Sequence, residues 1–131
     1  MNQRNVLKQH LMLSRARITE DGVFPVCPWC NEPINGNGPD LHEAIISRGE
    51  ARGNKALLEE VTTSPYNCVL VHHDEHIDEG DTRENDDKAI LQLLEHYGVN
   101  LILHWLHSIR PITKGRLVDD KIRRVEALAA Q

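Results

Sequence analysis

Residues 67–76 read Asn-Cys-Val-Leu-Val-His-His-Asp-Glu-His. A short apolar run, rich in β-branched residues, passes without a break into a cluster of imidazoles and carboxylates. The apolar part predicts a buried strand over 66–72 (YNCVLVH). The polar part, HHDEHIDEG, predicts the first turns of a helix, with acids where a helix N-terminus favours them. Three of the chain's eight histidines fall within five residues here. In a helical segment His72 and His76 lie about a turn apart and could share a face.

Upstream, Leu41-His-Glu-Ala-Ile-Ile-Ser47 predicts a partner strand that carries His42 and Glu43. The segment 49–65 holds Gly49, Gly53 and Pro65 around a short ALLEEV run and reads as a connecting loop. Before the strand, FPVCPWCNEPINGNGPD is dense in Pro, Gly and Asn, so a turn-rich knuckle surrounds Cys27 and Cys30. Residues 3–18 could form a basic helix with Leu7, Leu11 and Ile18 as scattered apolar positions. From Asp86 the apolar spacing becomes helical: AILQLLEHYG stops at Gly98, VNLILHWLHSI stops before Pro111, and a last helix spans about Leu117 to Ala129. The expected class is α+β, in one domain over 1–131, with a two-strand and one-helix core at about 25–80 and a helical part at about 84–131.

Composition narrows the function. At 131 residues with 4% aromatics the chain can bury only a modest core, which makes a metal staple plausible. No run of 18 apolar residues exists and the first ten residues are polar, so neither a membrane span nor a secretory signal is expected. Three cysteines are too few for a disulfide framework and fit a cytosolic chain with reduced thiols. The net charge of −5 argues against a nucleic-acid binder at first sight. However, ten of the fifteen Lys and Arg lie in 1–19 and 110–124, while the acids crowd the middle, where a metal site would want them.

Cys27-Pro-Trp-Cys30 places two thiols at a spacing that can grip one zinc ion, leaving two ligands to come from elsewhere. A redox dithiol is the rival, but that motif belongs at a strand-to-helix junction, and Asn31-Glu32-Pro33 is a poor helix start. A metalloprotease helix would need a second histidine at position 46, which is Ile46. His104 and His107 lie in an apolar helix and are expected to pack or cap. Cys68 is expected to pack as a small hydrophobe.

The ordered set CPWC, LHE and NCVLVHHDEH resembles the HNH nuclease family over about residues 25–80. The resemblance implies a ββα-metal fold with a zinc knuckle, and a metal-dependent endonuclease hydrolysing DNA phosphodiester bonds. It places His42, Asn67 and His76 at the family's three signature positions. Two registers follow. In one, which Ser47 and Gly49 favour by their offsets, His42 is the general base and Leu41 stands in a metal-ligand slot. In the other, His42 is a ligand and Glu43 the base.

A neutral imidazole takes the water's proton, and a divalent ion (Mg, Mn, Ni or Zn) at His76 neutralises the phosphate and leaving oxygen. Asn67 would orient the base, hold a ligand loop, or reach the metal through its carbonyl. The family's later cysteine pair corresponds to His72 and Glu75, so Cys27, Cys30, His72 and Glu75 form the implied structural zinc site, with His73 as an alternative fourth ligand. Arg48 and Arg52 could clamp phosphates. Small proteins of this family are frequent in phages and prophages, which implies DNA as partner, phage packaging proteins as further partners, and the cytoplasm of a bacterial host. A zinc-stapled DNA-binding or protein-interaction module without catalysis is the alternative.

Overall fold

The computed structural model describes residues 2–35, 38–78 and 82–131. Positions 79–80, the end of the expected core, lie outside them. In chain order the elements are α1 (Gln3–Ser14), β1 (Arg17–Thr19), β2 (Gly22–Phe24), β3 (Asp40–Glu43), α2 (Lys55–Thr63), β4 (Cys68–Val71), α3 (His73–Asp78), α4 (Arg83–Tyr97), α5 (Val99–Ile109) and α6 (Leu117–Ala129), with a 3-10 turn at Arg110–Ile112. The class is α+β. Two antiparallel pairs make up the sheet content, β1 with β2 and β3 with β4.

The β3–β4 register pairs Asp40 with Val71, Leu41 with Leu70, His42 with Val69 and Glu43 with Cys68. The partner strand is shorter than the 41–47 run suggests. After Glu43 a side chain takes over from the backbone ladder. Ala44 N–H donates to the Asn67 backbone carbonyl (2.7 Å). Ile45 and Ile46 N–H both donate to Asn67 Oδ1 (3.0 and 2.9 Å). Asn67 Nδ2 in turn donates to the carbonyls of Ile46 and Val61 (2.9 Å each).

The expected loop at 49–65 contains α2. Its local signals are Asn54, whose Oδ1 caps the Leu57 N–H at 3.1 Å, and the buried pair Leu57 and Val61 one turn apart. Before α2 comes a single capped turn. Ser47 N–H donates to Glu50 Oε1 (3.0 Å) and Glu50 N–H donates to Ser47 Oγ (3.1 Å), a reciprocal capping box. Lys121 of α6 pairs with Glu50 Oε2 at 2.9 Å.

The expected N-terminal helix ends at Ser14. Ile18 belongs to a small hairpin instead and is exposed. Arg15, just past α1, is buried and donates to the carbonyls of Cys68 (2.5 Å) and Pro65 (2.6 Å). Helices α4, α5 and α6 pack on one another. Gly98, at φ +85°, makes the direct reversal from α4 into α5 that a side chain would strain. One apolar cluster joins Leu11, Ile45, Ile46, Val69, Leu70, Ile90, Ile102, Leu106 and Val118. Trp105 of α5 ties this cluster to α2 through Glu60 (2.8 Å). Among the described residues no helix is long and apolar enough to cross a membrane.

Two predictions follow from this framework. Asn67→Ala strands four buried backbone groups, so stability falls by about 3 kcal/mol or more, read as the urea midpoint at pH 7. Glu50 titrates below the usual carboxylate range: burial would raise it, but the Ser47 amide and Lys121 outweigh burial. Its stabilising effect is therefore full above the unfolded carboxylate pKa of about 4.3 and fades as pH falls through the lower folded value. Glu50→Gln should lower stability at pH 7 and narrow the stability loss between pH 5 and pH 3, measured by the same denaturation at each pH.

Candidate functional site

Two groups of polar side chains meet around Trp29. The first is the knuckle. Val26 and Pro33 form an isolated antiparallel bridge. Within it Cys27 N–H donates to the Glu32 carbonyl (3.0 Å) and Asn31 N–H to the Cys27 carbonyl (2.8 Å). Asn31 closes the turn at φ +62°, a conformation asparagine tolerates better than most residues. The turn aims both thiols at the start of α3. Cys27 Sγ lies 3.4 Å from Glu75 Oε2, Cys30 Sγ 3.4 Å from His72 Nδ1, and His72 Nδ1 3.2 Å from Glu75 Oε1.

All four donor atoms lie within 4.8 Å of one another, so Cys27, Cys30, His72 and Glu75 could hold a metal ion. Zinc-type bonds of about 2.0–2.3 Å imply tetrahedral edges of about 3.3–3.8 Å, close to the observed spacings. His72 Nε2 lies 3.1 Å from the Pro33 carbonyl, which sets the tautomer that presents the Nδ1 lone pair to the thiols. Without a cation, burial and the Glu75 carboxylate push the Cys30 thiol up to about 12. A bound ion would reverse that preference and release protons.

The second group lines an open cleft with Arg4, Leu41, Glu43, Ser47, Arg48 and Gly49. His42 is 4% exposed, and its Nε2 lies 2.7 Å from Asp86 Oδ1 of α4. His76 faces it at 5.3 Å between ring centroids, edge to face. His76 Nδ1 is 3.0 Å from Asp40 Oδ2, and His73 Nδ1 is 2.9 Å from the same oxygen. Burial would raise the Asp40 carboxyl, but its two histidine partners hold it below the usual range. Trp29 separates the two groups, with its ring 5.0 Å from His42 and 5.8 Å from His76.

Several expectations need correction. His72 and His76 do not serve one site, because His72 turns to the cysteines and His76 to Asp40. His73 pairs with Asp40 and is not a knuckle ligand. Leu41 is buried and pairs across to Leu70. The carboxylate beside His76 comes from Asp40 instead, which shares a strand face with His42. Asn67 Oδ1 is taken by two amides, so it holds a loop and does not reach a metal. Glu43 is engaged by Arg48 Nε (2.7 Å) and Arg4 (3.2 Å). Arg52 lies away from the histidines in a separate groove. His104 and His107 are exposed on the polar side of α5. Cys68, by contrast, packs in the core as expected, and burial together with the Glu43 charge pushes its thiol up to about 12.

Sequence reasoning missed Asp40, Asp86, Trp29 and Arg4. For Asp40 the period-2 step to His42 was a usable signal. Asp86 comes from a helix 44 residues away, and no local pattern points to it. No protein-family model, curated protein or solved structure matches this chain.

Metal binding at the knuckle is testable directly. The isolated protein should bind about one tetrahedral ion, with a cobalt spectrum showing thiolate charge-transfer bands. Cys30→Ser and His72→Ala should each weaken binding and cut the melting-temperature rise that metal produces. Equal melting curves with and without chelator in the unsubstituted protein would rule out this site.

Proposed function

We propose that this chain is a metal-dependent, HNH-type endonuclease acting on DNA. The observation that carries the reading is His42: a buried imidazole, oriented through Nε2 by Asp86, at a cleft it shares with a second histidine–carboxylate pair. With the Nε2 proton directed to Asp86, the ring is held in one orientation at the cleft, as a general base requires. Asp40 and His76 would supply an oxygen and a nitrogen ligand for a divalent ion (Mg, Mn, Ni or Zn), whose charge would offset that on the scissile phosphate and leaving oxygen. Arg48, more than half exposed beside the cleft, is placed to contact phosphate. Glu43 is the weaker candidate for base because two guanidinium groups already engage it. The knuckle ion is structural zinc in this reading, since a two-thiolate, four-ligand set leaves no open position. A phage or prophage origin and phage packaging proteins as further partners belong to the same reading.

One observation favours a zinc-stapled DNA-binding or interaction module without catalysis. Among the described residues the knuckle is the one group where three or more candidate ligands converge. At Asp40, His73 and His76 both approach one carboxylate oxygen, but the three donors do not converge as the knuckle ligands do.

Supercoiled plasmid incubated with the protein and each of the four metals separates the readings, since nicking is expected only of the nuclease. His42→Ala should slow nicking on the order of 100-fold to 10,000-fold with metal affinity unchanged. His76→Ala should weaken metal affinity as well, and excess metal should partly rescue it. Asp86→Asn should slow the reaction and displace its pH profile. Unsubstituted rates in both His42→Ala and His76→Ala would leave the binding module as the answer.

A further inference from the structure

Away from the histidine cleft, a second open groove is lined by Glu50, Arg52, Gly53, Asn54, Lys55, Lys114 and Leu117. Most cations of this chain are already committed. Arg4 and Arg48 pair with Glu43, Arg17 with Glu95, Lys88 with Glu84, Arg110 with Asp119, Arg123 with Asp120 and Arg124 with Asp87. Arg15 is buried against carbonyls. The cations without a side-chain hydrogen bond or ion pair among the described residues are Lys8, Arg52, Lys55, Arg83, Lys114 and Arg116, and of these Arg52, Lys55 and Lys114 line this one groove. All three are exposed. The one acid in the groove, Glu50, is neutralised by Lys121 at 2.9 Å. Helix α2 begins here, at Lys55, and its positive end adds to the local potential, whereas the first turn of α6 carries Asp119 and Asp120. On a chain of net charge −5, this groove therefore concentrates uncompensated positive charge.

We infer that the groove formed by Arg52, Lys55 and Lys114 binds the phosphodiester backbone of the DNA that enters the His42 cleft. The inference rests on the nuclease reading and extends it to how substrate is held. Continuity comes from one loop: Ser47, Arg48 and Gly49 line the histidine cleft, and Glu50, Arg52 and Gly53 line the groove. The Ser47–Glu50 capping box and the Lys121 pair make that loop rigid. Asn54 anchors its far end by donating to the Ile112 carbonyl at 2.6 Å. Two of its three cations are lysine ammonium groups on flexible stems, which suits the groove to phosphate contact along the backbone.

The test uses full-length protein carrying His42→Ala, so that DNA survives the measurement. Binding of a labelled duplex is followed by anisotropy across a salt series. Adding R52A, K55A and K114A together should weaken binding at least about tenfold at 0.1 M salt and flatten the log K against log salt slope by up to about 2.7, at about 0.9 per lost phosphate contact. A charge-matched control with R17A, R83A and R123A should change either quantity far less. Thermal melting checks that both triples are folded, and K114E alone provides a second groove variant.

Equal losses in the groove and control triples would overturn the proposal, because they would reflect net charge alone. Groove-dependent binding of poly-glutamate with no groove-dependent binding of duplex would also overturn it, in favour of an acidic protein partner. Plasmid nicking by the unsubstituted protein is read separately. Nicking with no groove effect refutes the groove alone. A selective groove effect without nicking refutes the nuclease reading alone.

Discussion

The carboxamide of Asn67 is the constraint on which the rest of the structure depends. It is 0% exposed and makes four hydrogen bonds, two as acceptor and two as donor. Those bonds join the chain leaving β3, the C-terminal part of α2 and the first residue before β4. Backbone amides 45 and 46 are buried and have turned away from the strand ladder, so they would otherwise lack partners, a cost of about 1–3 kcal/mol each. By holding that bend the amide determines where β3 ends. It thereby fixes the register that places Asp40 and His42 on one face and directs the following loop past the cleft.

The second support is the knuckle, and Trp29 transmits it. The tight turn needed to bring Cys27 and Cys30 together leaves Trp29 with one place to go, inward against His42 and His76. Its Nε1 is buried without a hydrogen-bond partner among the described residues. That cost is accepted where the ring fills the space behind two imidazoles. A chain of this size, with few aromatics, has little other apolar bulk to put there. The position of the histidines therefore depends on a turn whose cysteines, with His72 and Glu75, could hold a metal ion.

Charge follows the same economy of placement. Acids outnumber bases by 20 to 15, and among the described residues seven of them, on α4 and α6, in β3 and in the loop after it, pair with Lys or Arg. Exposed pairs of this kind add little stability. Their consequence is spatial: they cancel charge over much of the surface and leave positive groups standing in the groove beside α2 and α6. Net charge, which argued against a polyanion partner, averages over this pattern and does not describe it.

Local sequence alone determined the elements whose signals are local. The Gly98 stop, the Pro111 break and the 3.6-residue spacing after Asp86 place α4, α5 and α6. The cysteine spacing places the knuckle, and the apolar run at 68–71 places β4. The grouping of Cys27 and Cys30 with His72 and Glu75 came from family resemblance, and the structure brings those four together. Elements too short for periodicity were lost: α2 was hidden by a loop-like composition, and the β1–β2 hairpin by three-residue strands. What only the tertiary structure decided is which polar group faces which. His72 and His76 are four residues apart, yet His72, just before α3, turns to the thiols and His76, within α3, to Asp40. Asp86 reaches His42 from α4, 44 residues further along the chain. Hydrogen bonds between distant side chains depend on the packing of whole elements, and no spacing along the chain encodes that distance.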